Sequence, residues 1–80
     1  MVKEFRYYTA WTDSMKYEQG FAGIIGYQRK SPNGVARLLW VIAPGLASES
    51  DAAASADNML DHIKDINCFG QVIFTDGVIL

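Results

Sequence analysis

The sequence predicts an α+β domain of order β-β-β-α-β spanning residues 1–80. It is read as an antiparallel three-stranded meander plus a short fourth strand, one face covered by a single amphipathic helix. Three observations predict it. Residues 48–67 place apolar side chains at helical spacing, the stretches before them alternate at period two with aromatic and β-branched residues, and Asn33-Gly34 carries a tight-hairpin signal.

Residues 3–12 set Phe5, Tyr7, Thr9 and Trp11 against Glu4, Arg6, Tyr8 and Ala10, which reads as strand 1. Residues 13–20 are polar apart from Met15 and Tyr17, so the pattern breaks there and a connection is expected. Residues 21–29 read as strand 2. Pro32 cannot continue a central strand and Asn33-Gly34 tolerates positive φ, so strands 2 and 3 are expected as antiparallel neighbours. Strand 3, residues 35–43, is closed by Pro44-Gly45.

In the helix, Ala52, Ala56, Met59, Leu60, Ile63 and Ile66 fall in one stripe at about 100° per residue, opposite Asp57, Asp61, Lys64 and Asp65. The Ser48 hydroxyl is placed to accept from the Asp51 amide, Glu49 and Asp51 suit the positive end of the dipole, and Asn67 and Gly70 can take the positive φ of a helix end. The small residues Ala52, Ala53 and Ala56 imply close packing of the first turns against bulky sheet residues. Residues 71–75 form a short fourth strand. Asp76-Gly77 either turns Val78-Ile79-Leu80 back as a hairpin, or those residues extend the edge or swap with another copy.

A meander makes strands 1 and 3 parallel to each other, and the helix returns the chain so that strand 4 runs with them. A right-handed crossover beside strand 1 gives sheet order 3-2-1-4, with strand 3 at an edge. The row Ala36, Leu38, Trp40, Ile42, joined by Phe5, Tyr7 and Trp11, is expected under the helix. Strand 2 leaves open whether Phe21, Ile25 and Tyr27 or Ala22, Ile24 and Gln28 face inward. The other face then keeps Tyr8, Leu39 and Val41, more apolar surface than one helix buries, which points to an interface. The β-β-β-α-β order, with Pro44-Gly45 before a Ser-capped, Ala-containing helix, resembles in topology the small domains of HicB-type antitoxins. The likeness covers about half the chain, and the long apolar strands 2 and 3 depart from the polar, glycine-rich sheets of that group.

Eighty residues with 7 Lys and Arg against 9 Asp and Glu give a net charge of −2, which argues against a general polyanion binder. Cys68 is alone, so no internal disulfide forms. The charged N-terminal run is no signal peptide and no stretch approaches the roughly 18 apolar residues of a membrane span, so a soluble cytoplasmic domain is the expectation.

Gly20, Gly23 and Gly26 mimic a phosphate-loop spacing, but they lie in a strand without the following helix or Lys-Ser/Thr, and read as sites of bending or close packing. His62 beside Asp61 and Asp65 reads as an exposed flank histidine, Cys68 as a small buried hydrophobe, and the Asp57, Asp61, Asp65 ladder as a solvated face. Nothing assembles a nucleophile, a base and an orienter; no enzyme activity, cofactor or metal is expected. The expected function is a non-catalytic interaction module that binds one protein partner, most simply itself as a homodimer, through an open sheet face or edge. Its interface residues are Tyr8, Arg37, Leu39, Val41, Val78, Ile79 and Leu80. Two alternatives stand beside it. One is single-stranded nucleic acid on an aromatic and Arg sheet face, against which the net charge weighs; the other is a small molecule between helix and sheet, lined by Trp11, Trp40 and Met59.

Overall fold

The computed structural model of the chain describes residues 1–31, 33–41 and 48–80, with the backbone alone for Trp40 and Val41. Expectations that fall on Pro32, Ile42, Pro44 and Gly45 lie outside the described residues. The architecture is α+β. Strands β1 (Val2–Glu4), β2 (Tyr8–Tyr17), β3 (Gly20–Arg29) and β4 (Ala36–Val41) form an antiparallel sheet in chain order. Helix α1 (Glu49–Asp61) covers one side, and β5 (Ile63–Ile66) and β6 (Val72–Phe74) form a second, two-stranded antiparallel sheet.

The expected first strand is two strands. Residues 5–7 form a loop closed by the Phe5 amide on the Tyr8 carbonyl at 2.8 Å, and β1 folds back on β2 with Val2 opposite Trp11 and Glu4 opposite Thr9. The slot beside β2 is thereby filled, so the order 3-2-1-4 does not form, although β4 does lie at an edge. The expected connection after residue 12 is also strand. β2 continues to Tyr17 and pairs with β3 along all ten residues, from Tyr8 opposite Arg29 to Tyr17 opposite Gly20. Glu18 turns the hairpin in the left-handed region at φ 54°. The antiparallel pairing of β3 and β4 around Asn33-Gly34 is as expected, with Gln28 opposite Ala36 and Gly23 opposite Val41.

The helix starts as read, the Asp51 amide donating to Ser48 Oγ at 3.1 Å. It stops at Asp61 rather than Asn67. In a continued helix the carbonyls of Leu60 and Ile63 would accept from residues 64 and 67; here Lys3 Nζ donates to them at 3.4 and 2.8 Å. Lys3 thus brings positive charge from β1 to the negative helix end, whose last turn has no basic residue of its own. Ile63 and Ile66 remain fully buried, but from a strand whose partners are Phe74 and Val72. The fourth strand therefore runs antiparallel to β5, outside the main sheet. Asn67 and Gly70 form the turn between β5 and β6, Gly70 at φ 81°.

The core joins Phe5, Tyr8, Ala10, Ile25, Ala56, Leu60, Ile63, Ile66 and Val72, with Tyr7, Tyr27, Leu39, Met59 and Phe74 packed against it. Phe5 and Tyr7 lie inward as expected, but Trp11, Ala36 and Leu38 of the expected inner row face away from the helix. The row under the helix is Tyr8, Ala10, Thr12 and Ser14 on β2, Gly23, Ile25 and Tyr27 on β3, and Arg37 and Leu39 on β4. The reason is the distance of approach. A Cβ at Gly23 would lie 2.5 Å from the Ala52 carbonyl oxygen and 3.0 Å from Ala56 Cβ, so the small helix residues meet a glycine and not bulky side chains. A helix seated that low leaves room only for short side chains beneath its first turns, and Thr12 and Ser14 fill it. They donate to Asp57 at 2.6 Å and Glu49 at 3.3 Å.

Candidate interaction surface

With α1 on one side, the opposite side of the main sheet has its own continuous composition. Register places Val2, Trp11, Gly26 and Leu38 in one row across all four strands. Ile24, Ala22 and Met15 occupy the next rows toward the β2–β3 turn, with exposed Asp13 opposite Ile24, and Glu4, Thr9, Gln28 and Ala36 bound the other end. Trp11 lies against Gly26, where an added Cβ would fall 2.6 Å from its Nε1. The glycine thus lets an indole lie flat on the strand, and the spacing of three puts Gly23 and Gly26 to work on opposite faces. Val2 is 68% exposed, Leu38 56% and Met15 41%, while Ile24 is buried between them.

Strands stand about 4.8 Å apart and same-face residues about 6.8 Å along a strand, so these rows, apolar apart from Asp13, cover about 15 by 20 Å, on the order of 300 Å². That lies within the roughly 300–600 Å² of the largest apolar patch on a typical monomer, a size that is often functional. The polar row at its border supplies a rim.

The expected interface residues divide among three places. Tyr8 is a correction: it is 4% exposed, in the core under the helix, with its ring centroid 5.8 Å from that of Tyr27. Leu39 is half-buried on the same side, and Val41 is placed there by its pairing with Gly23, its side chain lying outside the described residues. Arg37 is exposed at one end of that side, beside Gly70. None of the four belongs to the open face; Leu38, Val2, Trp11 and Met15 do, because the loop at residues 5–7 shifts which β2 positions face the helix. Val78, Ile79 and Leu80 are exposed and form a hairpin with β6 through bonds between Leu80 and Val72 and from the Phe74 amide to the Val78 carbonyl. The hairpin alternative for the tail is therefore the one adopted.

The pocket expected between helix and sheet is also corrected. Met59 packs in the core, whereas Trp11 lies on the far side of the sheet, so the two cannot line one cavity. His62 is exposed and caps the helix, its Nδ1 2.7 Å from the Asn58 carbonyl. Asp65 has left the helix for β5, which breaks the carboxylate ladder, and among the described residues no cluster of His, Cys, Asp and Glu is placed to hold a metal. Cys68 is half-buried with a free thiol. No helix among the described residues is long and apolar enough to cross a membrane.

Comparison with protein-family models, with curated proteins and with solved structures finds no match. The resemblance to HicB-type antitoxins gains no support from these comparisons, and its β-β-β-α-β topology is not the one the chain adopts.

Proposed function

We propose that the chain is a non-catalytic interaction module that binds protein, most simply a second copy of itself, through the open side of its four-stranded sheet. The observation that carries this reading is the apolar row Val2, Trp11, Gly26 and Leu38, which crosses every strand of the sheet on the side away from α1. One helix is enough for one face, and exposed Leu38 and Val2 are costly to leave in water at about 25 cal/mol per Å². A twofold axis through such a face buries the same patch on both copies, the commonest closed arrangement.

The test is mass in solution by light scattering at about 100 µM, high enough to populate a dimer of micromolar affinity. A dimeric mass is expected, and Leu38→Glu is expected to give monomer with unchanged secondary structure, since Leu38 is 56% exposed on the side away from the helix. A monomeric wild-type mass removes self-association.

A further inference from the structure

We propose that the end of the main sheet where β2 begins and β3 ends binds single-stranded nucleic acid, its phosphates on Arg6, Arg29, Lys30 and Arg37 and a base stacked on Phe69. Four of the seven basic residues meet there. Arg29 ends β3 opposite Tyr8, the Lys30 amide donates to the Tyr7 carbonyl, Arg37 on β4 is opposite Tyr27, and Arg6 lies in the β1–β2 loop. Arg6 and Arg29 are seated over the rings of Tyr7 and Tyr8, at 5.3 and 5.9 Å, which steadies their guanidinium groups.

The net charge of −2 does not describe the field at this end. Asp13, Glu18, Glu49 and Asp51 lie toward the other end, Glu18 in the β2–β3 turn and Glu49 bonded to Ser14. Along strands rising about 3.3 Å per residue that is about 17–33 Å away. The Debye length at physiological salt is about 8 Å, so those charges are largely screened here. Glu4 lines a depression there with Arg29 and Lys30, and Asp57 is bonded to Thr12, nearer this end than Asp13.

Phe69 is 81% exposed, the most exposed large hydrophobic residue described. Its turn is braced, because Asn67 Oδ1 accepts from the amides of Phe69 and Gln71, both at 3.0 Å. The turn is also tied to the basic end, since Arg29 Nη1 donates to the Cys68 carbonyl and Arg37 lies against Gly70. An exposed ring on a braced turn beside cations is a stacking platform. At the same end of the sheet, on the side away from α1 where Glu4, Thr9 and Gln28 lie, a depression of about 430 Å³ is lined by Glu4, Thr9, Gln28, Arg29, Lys30 and Ser31. That lining offers hydrogen-bond donors and acceptors, which match the edges of an unpaired base.

The test is fluorescence anisotropy with labelled oligo(dT) and oligo(U) of about 12 nucleotides, starting at about 50 mM salt where phosphate contacts are strong. Binding is expected, with log K falling against log salt at a slope of about −3, the value for four phosphate contacts on a single strand. Phe69→Ala is expected to weaken binding about tenfold, and Lys30→Glu to weaken it and flatten the slope. Both side chains are exposed, so circular dichroism is expected to stay unchanged. The proposal is overturned by absence of binding at tens of micromolar protein, by binding that neither substitution alters, or by binding to phosphatidylserine vesicles without binding to the strands.

Discussion

Replacing Gly23 with alanine tests the packing on which the two faces of the sheet depend. The added methyl would lie 2.5 Å from the Ala52 carbonyl oxygen, 3.3 Å from the Ala56 amide nitrogen and 3.0 Å from Ala56 Cβ. Two of those atoms are backbone and the third is fixed to it, so no side-chain rotation relieves the contact and α1 must lift by about an ångström. Overpacking of a close-packed interior costs about 1–3 kcal/mol. At the upper end that is a large part of the roughly 4–12 kcal/mol expected of a chain this size. A urea melt followed by circular dichroism reads it directly. With a slope of about 1 kcal/mol per molar, a loss of 2 kcal/mol lowers the midpoint by about 2 M. Gly26→Ala is the control, because its added methyl meets the movable Trp11 indole on the open face and is expected to cost less. A loss below about 0.5 kcal/mol for Gly23→Ala, or a greater loss for Gly26→Ala, refutes the seating of the helix on β3.

Leu60 is fully buried at the centre of the core, so Leu60→Ala is expected to cost about 2–5 kcal/mol in the same melts, and under half a kcal/mol would place the helix face wrongly. Lys3→Met keeps the aliphatic stem but removes the donor to the Leu60 and Ile63 carbonyls; a loss of about 1–2 kcal/mol is expected, combining the charged hydrogen bond and the dipole contribution. If Lys3→Met is neutral in the melt, the helix end is set by β5 pairing alone.

The elements legible in the sequence were those whose signals are local. Ser48 caps the helix because its hydroxyl reaches an amide three residues on, and Asn33-Gly34 lies between β3 and β4 as expected, although Gly34 serves there by clearing the Arg29 carbonyl and not by positive φ. What was not legible turns on contacts distant in sequence. Ile63 and Ile66 lie three and six residues after Leu60, so their spacing continues the helical stripe, and only pairing with Val72 and Phe74 makes them a strand. The aromatic alternation runs unbroken through residues 5–7, where no Gly, Pro or Asn marks a loop, and reading across it inverted the rows of β2. The faces of β4 could not correct the error, because both of its rows contain large apolar residues. Among the expected interface residues, Arg37 and the tail remain exposed while Tyr8 and Leu39 move inward, and Leu38 and Phe69 emerge only with the register and the turn in view.

Two surfaces compete for self-association, the open face and the tail strand, and their magnitudes separate them. Val78 and Leu80 spend backbone bonds on β6, which by antiparallel geometry turns the Ile79 amide and carbonyl to the free edge. A twofold pairing centred there makes about two hydrogen bonds, each worth about 1 kcal/mol net. Association costs about 4–15 kcal/mol in lost freedom, so a three-residue edge cannot hold a dimer unaided. The open face, counted on both copies at about 25 cal/mol per Å², returns at most on the order of 15 kcal/mol before those costs. Deleting Val78, Ile79 and Leu80 is therefore expected to leave the mass measured by light scattering unchanged. It should lower stability by about 1–3 kcal/mol through loss of the bonds to Val72 and Phe74. Conversion of a dimer to monomer by that deletion, with Leu38→Glu remaining dimeric, would assign self-association to the tail and leave the open face for a different protein.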